Sequence, residues 1–126
     1  MPVPLSLALF GALGTLARYG VTRLIEARSV SVFPWATFVV NVTGCFAVAL
    51  AIATLVDRPG SPAWLRVGAI VGFAGAYTTF SALAVDTYDL AVGRELVVAL
   101  ANVAASAGLG LAAVAAGTAL GRALWG

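Results

Sequence analysis

The residues best placed to do chemistry are small, neutral and hydroxylated, and they interrupt an apolar stretch: Gly72-Phe73-Ala74-Gly75-Ala76-Tyr77-Thr78-Thr79-Phe80-Ser81. Hydrocarbon offers no partner to backbone N–H and C=O groups. A weakened helix at membrane depth therefore persists only where protein, water or an ion satisfies what the break frees. That requirement points to transport. Two polar stripes go with it. Thr37 and Asn41 are four residues apart and share a helical face, and Asn102 and Ser106 repeat the spacing, with Gly110 continuing the stripe. Together with Thr78, Thr79 and Ser81 they supply uncharged hydrogen-bond donors, with no acidic group until Asp86. A path lined this way suits an anion. The same side chains also serve as glue between helices, worth about 0.6 kcal/mol each on average, and spacing leaves both roles open.

Covalent and metal catalysis have nothing to work with. Histidine and lysine are absent, and the few ionisable groups form no nucleophile, base or metal-ligand pattern. The expectation is a protein that is not an enzyme and has no nucleic-acid partner. Lone Cys45 cannot form an intrachain disulfide and, beside Phe46 in an apolar helix, reads as a small packing hydrophobe.

The elements that position these groups follow from composition. Of 126 residues, 62% are hydrophobic and 10% charged, and the mean hydropathy is +1.05. The chain belongs in a bilayer. Charges fall within 18–28, 57–66, 86–95 and at 122, which leaves uncharged runs near the ~20 residues that a spanning helix needs. The expected fold is an all-α membrane protein, one domain over 1–126. Its four transmembrane helices lie near 5–24, 33–56, 67–89 and 96–121, and the third is broken. Met1-Pro2-Val3-Pro4 puts no basic residue ahead of the first apolar run, so that helix is expected to be retained and not cleaved as a signal.

Arginines in short loops set orientation. With four spans, Arg58, Arg66 and Arg122 share one side and Arg23, Arg28 and Arg94 the other, a tie once the deeper Arg18 is set aside. A tie is compatible with chance in a small chain, and with a chain that inserts both ways up and pairs as an antiparallel dimer. Four short helices enclose little polar interior, which also points to association. Gly68 with Gly72 and Gly117 with Gly121 are small-xxx-small pairs suited to close helix contact, either between chains or within one.

Three ordered motifs carry a family resemblance. Gly11-Ala12-Leu13-Gly14-Thr15-Leu16-Ala17-Arg18-Tyr19 resembles the glycine-rich arginine motif in the first helix of the Fluc/CrcB fluoride channels. Thr37-Phe38-Val39-Val40-Asn41-Val42-Thr43-Gly44 resembles their second-helix signature, and residues 72–81 their third-helix break. The resemblance covers essentially the whole chain. It implies a dual-topology antiparallel dimer in the lipid of a bacterial inner membrane, with two fluoride pores and a central structural sodium ion, letting cytoplasmic fluoride leak out passively.

By resemblance, Asn41 offers an amide N–H to the ion, and Thr37, Thr79, Ser81 and Ser106 offer hydroxyls. Phe80 matches the first of two pore phenylalanines, presenting a ring edge that is electropositive because the ring quadrupole is negative only on its faces; otherwise it is a packing residue. Where the family commonly reads Thr-Thr-Phe-Ser-Thr-Phe, this chain has Leu83 at the second phenylalanine. That departure leaves two options, a homodimer with altered pores or one half of a heterodimer with a paralogous subunit. The carbonyls of Gly75 and Thr78 match the family's sodium ligands. Arg18 would line an aqueous vestibule that concentrates anions, or else snorkel from a helix end. Asp86 corresponds to an acidic residue near the far end of the pore, or to a solvated helix end.

The main rival is a small multidrug transporter, which has the same helix count and dual topology but needs a membrane-embedded glutamate in its first helix. Arg18 stands there instead, and Glu26 lies beyond. A noncatalytic assembly subunit would explain glycine and hydrophobicity but not three ordered motifs.

Overall fold

Prolines set where three of the four spans begin. Pro2 precedes α1 (Val3–Glu26), with Pro4 in its first turn; Pro34 precedes α2 (Trp35–Val56); Pro62 precedes the third span (Ala63–Val92). A helix start suits proline because its ring fixes φ and the amide hydrogen it lacks would have no partner there. Their carbonyls are used at once, Pro2 accepting from the Ser6 amide, Pro34 from Phe38, and Pro62 from Leu65 and Arg66. The third span divides into α3, residues 63–77, and α4 (Phe80–Val92). The last helix, α5 (Leu96–Ala123), follows a reversal over 93–95 in which Arg94 takes a φ of 66°.

The computed structural model describes residues 1–57 and 59–124, so Arg58, one of the arginines in the orientation tie, lies outside the described residues. Among the described residues there is no strand. Four helices are long and apolar enough to cross a membrane, and the chain is an all-α, multi-pass membrane protein. Three spans start away from their expected positions. The first starts at Val3, not Leu5. The second starts at Trp35, not Phe33, because a following proline disfavours helical backbone at Phe33. The third starts at Ala63, not Val67. Arg66 does not end the loop as its charge suggests; near a helix end, a long arginine stem lets the head group reach the surface.

Lipid replaces a large core, so the buried apolar set is short and mostly alanine: Val40, Ala49, Ala53, Ala74, Tyr77, Leu90 and Ala99. Helix α2 runs along α5, and α1 along α3. Both glycine pairs serve these contacts within the chain. Gly117 lies on the Phe46 carbonyl and Ala49 of α2, and Gly121 on Ala53; Gly68 and Gly72 lie on Phe10 of α1. The pairs therefore do not supply the contact between chains that their spacing also allowed. Two stretches are wound as π helix, Ile52–Val56 at the end of α2 and Gly68–Ala74 within α3. The second leads directly into the break, and such widened turns are frequent at functional sites.

Candidate functional site

Helix α1 approaches the third span through glycine. Gly11 sits near the Gly72 carbonyl, and a Cβ at Gly14 would collide with the Phe73 carbonyl, so the two backbones touch. Arg18 lies one turn beyond Gly14 on the same face. That proximity lets its Nη1 donate to the Thr78 carbonyl, 3.4 Å away. Lysine-free and histidine-free, the chain puts the arginine nearest the middle of its first span against a backbone oxygen.

At Thr78 the helix stops. Its amide and its Oγ1 both donate to the Ala74 carbonyl, at 3.0 and 2.9 Å. The next bond of a continuing helix would run from the Thr79 amide to the Gly75 carbonyl. Instead Thr78 (φ −78°, ψ 158°) and Thr79 (φ −150°, ψ 109°) are extended. The Thr79 amide donates to Asn41 Oδ1 at 2.7 Å, while Asn41 Nδ2 donates to the Thr79 carbonyl at 3.0 Å. Asn41 thus clamps the backbone at two points. Helix α4 restarts with Thr79 as its cap, Oγ1 accepting from the Ala82 amide at 3.2 Å and sharing a 3.1 Å hydrogen bond with Ser81 Oγ. Behind the break, Tyr77 stacks on Phe73 at 5.9 Å and its hydroxyl lies 2.9 Å from Thr43 Oγ1. Because Thr43 already donates to the Val39 carbonyl, Tyr77 is the donor. Gly44 leaves the room this needs, since a Cβ there would strike the Thr78 methyl.

The break opens onto a groove of about 520 Å³ walled by Asn41, Gly75, Thr78, Thr79, Phe80, Leu83 and Ser106, with Cys45 on its α2 side. Phe80 is 81% exposed, so its ring is a wall element and not core packing within this chain. Among the described residues the amides of Phe80 and Ser81 have no acceptor. Free N–H groups at a helix start carry partial positive charge and favour anions. Asn41 Nδ2 keeps one hydrogen beyond its bond to Thr79. The groove therefore offers amide and hydroxyl donors on an otherwise apolar wall.

A second cavity, about 450 Å³, holds Arg18 with Thr15, Tyr19, Thr22, Glu26, Thr37 and Asp86. Thr79 lines both cavities. Here the Thr37 hydroxyl donates to Asp86 Oδ2 at 2.6 Å, so its one proton is committed to a carboxylate. Thr37 and Asp86 face the Arg18 cavity and not the Phe80 groove. Ser81 is exposed and bonded to Thr79. Asn102 separates from Ser106. It is 0% exposed and its Nδ2 donates to Thr87 Oγ1 at 3.0 Å, which in turn donates to the Leu83 carbonyl at 2.7 Å. Asn102 is thus a tie between α5 and α4. Its Oδ1 and the Ser106 Oγ are buried with no partner among the described residues.

Several residues of the site escaped the reading of the sequence: Thr15, Tyr19, Thr22 and Glu26 around Arg18, and Thr87. The first four recur with helical spacing about Arg18, a polar stripe that periodicity alone exposes.

Sequence comparison decides the family. Residues 5–118 match the model of the CrcB-like protein, Camphor Resistance (CrcB), family. The chain belongs to the CrcB family. Three relatives, each named fluoride-specific ion channel FluC, illustrate it. The protein of Desulforapulum autotrophicum is 40% identical over 116 residues, covering 92% of this chain and 93% of that one. The Solibacter usitatus protein is 43% identical over 118 residues, 94% and 97% of the two chains. That of Paracoccus denitrificans is 44% identical over 121 residues, 96% and 95%. This CrcB chain carries a clamped helix break beside two cavities.

Proposed function

We propose that this CrcB chain forms a passive, fluoride-selective channel in a bacterial inner membrane, exporting cytoplasmic fluoride. The observation that carries the reading is the break itself, where Asn41 pins Thr79 beside the groove that both line with Phe80, and where the first amides of α4 have no acceptor among the described residues. Fluoride is small and tightly hydrated. A pore must replace water's hydrogen bonds without gripping the ion permanently, and neutral donors do that better than bare cations. The names of the relatives agree with this substrate.

One chain supplies only one wall of the groove. The second wall is assigned to another copy in antiparallel orientation, giving two pores per dimer. Asn41, Thr79, Ser81, Ser106 and the edge of Phe80 line the ion's route, with Leu83 widening it. Thr37 and Asp86 belong to the end reached through the Arg18 cavity, which serves as vestibule. The small multidrug alternative has no support in an α1 whose one acid, Glu26, is its last residue.

A structural sodium ion fits the donor set at the break. Because the Thr79 amide is turned to Asn41, the Gly75 carbonyl loses its helical donor, and Gly75 is open to the groove. The Thr78 carbonyl has no helical donor either, since the Ala82 amide goes to Thr79 Oγ1. Oxygen-only ligands suit a hard cation, and two carbonyls from each of two chains would hold it at the dimer centre. The ion would supply positive charge there and tie the broken helices together.

Fluoride-loaded liposomes containing only this chain should discharge when potassium is free to compensate charge, and chloride-loaded ones should not. Discharge only after a paralogous chain is added assigns a heterodimer. Vesicles that stay fluoride-tight with either preparation overturn the proposal.

A further inference from the structure

The Thr78 carbonyl has two claimants. It accepts from Arg18 Nη1 at 3.4 Å, and it is also one of the two oxygens assigned above to sodium. We infer that Arg18 and the sodium ion compete for this oxygen, so that sodium binding releases the guanidinium from the break into the cavity beside it. The inference rests on the sodium reading of the previous subsection and adds a regulator to it.

Geometry supports both ends of the exchange. On the break side, Gly14 brings α1 onto the third-span backbone and Arg18, one turn on, reaches the Thr78 carbonyl. A contact of 3.4 Å is at the long end for a hydrogen bond, so its loss costs little. On the far side, the cavity of about 450 Å³ already holds Arg18 together with Glu26, Asp86, Thr15 and Thr22. A guanidinium that leaves Thr78 therefore has carboxylates and hydroxyls to turn to without crossing hydrocarbon. Without sodium, the arginine holds the carbonyl end of the broken helix, where cations are favoured by the partial negative charge of the last carbonyls. With sodium in place, two cations at one oxygen repel, and the mobile one moves. Its new position puts positive charge where an anion would enter.

The test is sodium-dependent stability of the purified full chain. Thermal unfolding in detergent is followed while sodium chloride replaces N-methylglucamine chloride at constant ionic strength. The variants are Arg18→Gln, which removes the charge, and Arg28→Gln, which removes an exposed charge in the loop. The sodium concentration giving half of the stabilisation should fall by roughly three- to tenfold in Arg18→Gln, as expected when the ion no longer has to displace a long charge-assisted contact, and stay put in Arg28→Gln. An unchanged or higher sodium requirement in Arg18→Gln overturns the competition. So does an Arg18→Gln protein that fails to fold even at high sodium, because the ion should then stand in for the missing guanidinium. If the wild type gains no stability from sodium over N-methylglucamine, the sodium site itself is lost. A fluoride flux that survives in that case leaves the channel reading standing.

Discussion

Replacing Asn41 separates its two jobs. Its side chain accepts from the Thr79 amide at 2.7 Å and donates to the Thr79 carbonyl at 3.0 Å, so Asn41→Ala strands a backbone N–H and a C=O in an extended segment between apolar helices. Leaving a buried polar group without a partner costs about 1–3 kcal/mol each, so the substitution should destabilise the chain by about 2–6 kcal/mol. Had Asn41 only lined the groove, the loss would stay under about 1 kcal/mol. Equilibrium unfolding in mixed micelles measures the difference. Asn41→Asp probes the other job. One carboxylate oxygen still accepts from the Thr79 amide, but the donor to the groove is replaced by negative charge. Two like charges about 4 Å apart repel by about 4 kcal/mol at an effective dielectric near 20, so fluoride efflux should drop at least about 100-fold. Wild-type stability in Asn41→Ala refutes the clamp, and rapid efflux in Asn41→Asp refutes the donor path.

Other substitutions divide in the same way. Gly14→Ala drives a methyl into the Phe73 carbonyl and should cost about 1–3 kcal/mol of stability through overpacking; Gly20→Ala meets open space and should be tolerated or slightly stabilising by helix propensity, about 1 kcal/mol at most, both read by thermal unfolding. Phe80→Ile removes a ring that is 81% exposed, so liposomal fluoride efflux should collapse while unfolding stays within about 0.5 kcal/mol of wild type. Asn102→Leu removes one hydrogen bond to Thr87 but also an unpartnered buried oxygen. Its stability should change by less than about 1 kcal/mol with efflux intact, and a collapse of efflux would place Asn102 on the ion's route.

What the sequence discloses about this chain depends on whether a signal is local. Uncharged runs bounded by arginines and acids mark four spans because desolvating a charge is costly over any stretch of hydrocarbon, and glycine with paired threonines marks where one of them weakens. Proline positions carry the boundaries better than charge does, as Ala63 following Pro62 shows. Partner choice is not local. Asn41 and Thr37 share a face by spacing, yet one clamps a backbone 38 residues away and the other donates to a carboxylate 49 residues away. Asn102 and Ser106 share a face too, but the first ties α5 to Thr87 while the second lines the groove with its Oγ buried. Periodicity gives the stripe, and only the docking of neighbouring helices says which member meets what. The same holds for Gly68 and Gly117, whose small size predicts a close contact without naming its partner.

The break also sets opposite partial charges side by side without a charged side chain among the residues that line the groove. Ending α3 at Tyr77 exposes carbonyl oxygens, the negative end of a helix, at Gly75 and Thr78. Starting α4 at Phe80 exposes amide hydrogens, the positive end of another, at Phe80 and Ser81. A continuous helix cancels both sets internally, and a pair of charged residues would bind too tightly to release an ion. Two extended residues separate the ends, and Asn41 satisfies the peptide groups of Thr79 that neither helix can. The carbonyl end favours positive charge, which Arg18 supplies at Thr78, while the amide end favours negative charge. Removing the clamp should disturb both ends at once, which is why sodium-dependent stability and fluoride efflux should fail together in Asn41→Ala, while Phe80→Ile loses efflux alone and Arg18→Gln keeps sodium-dependent stability with a lower sodium requirement.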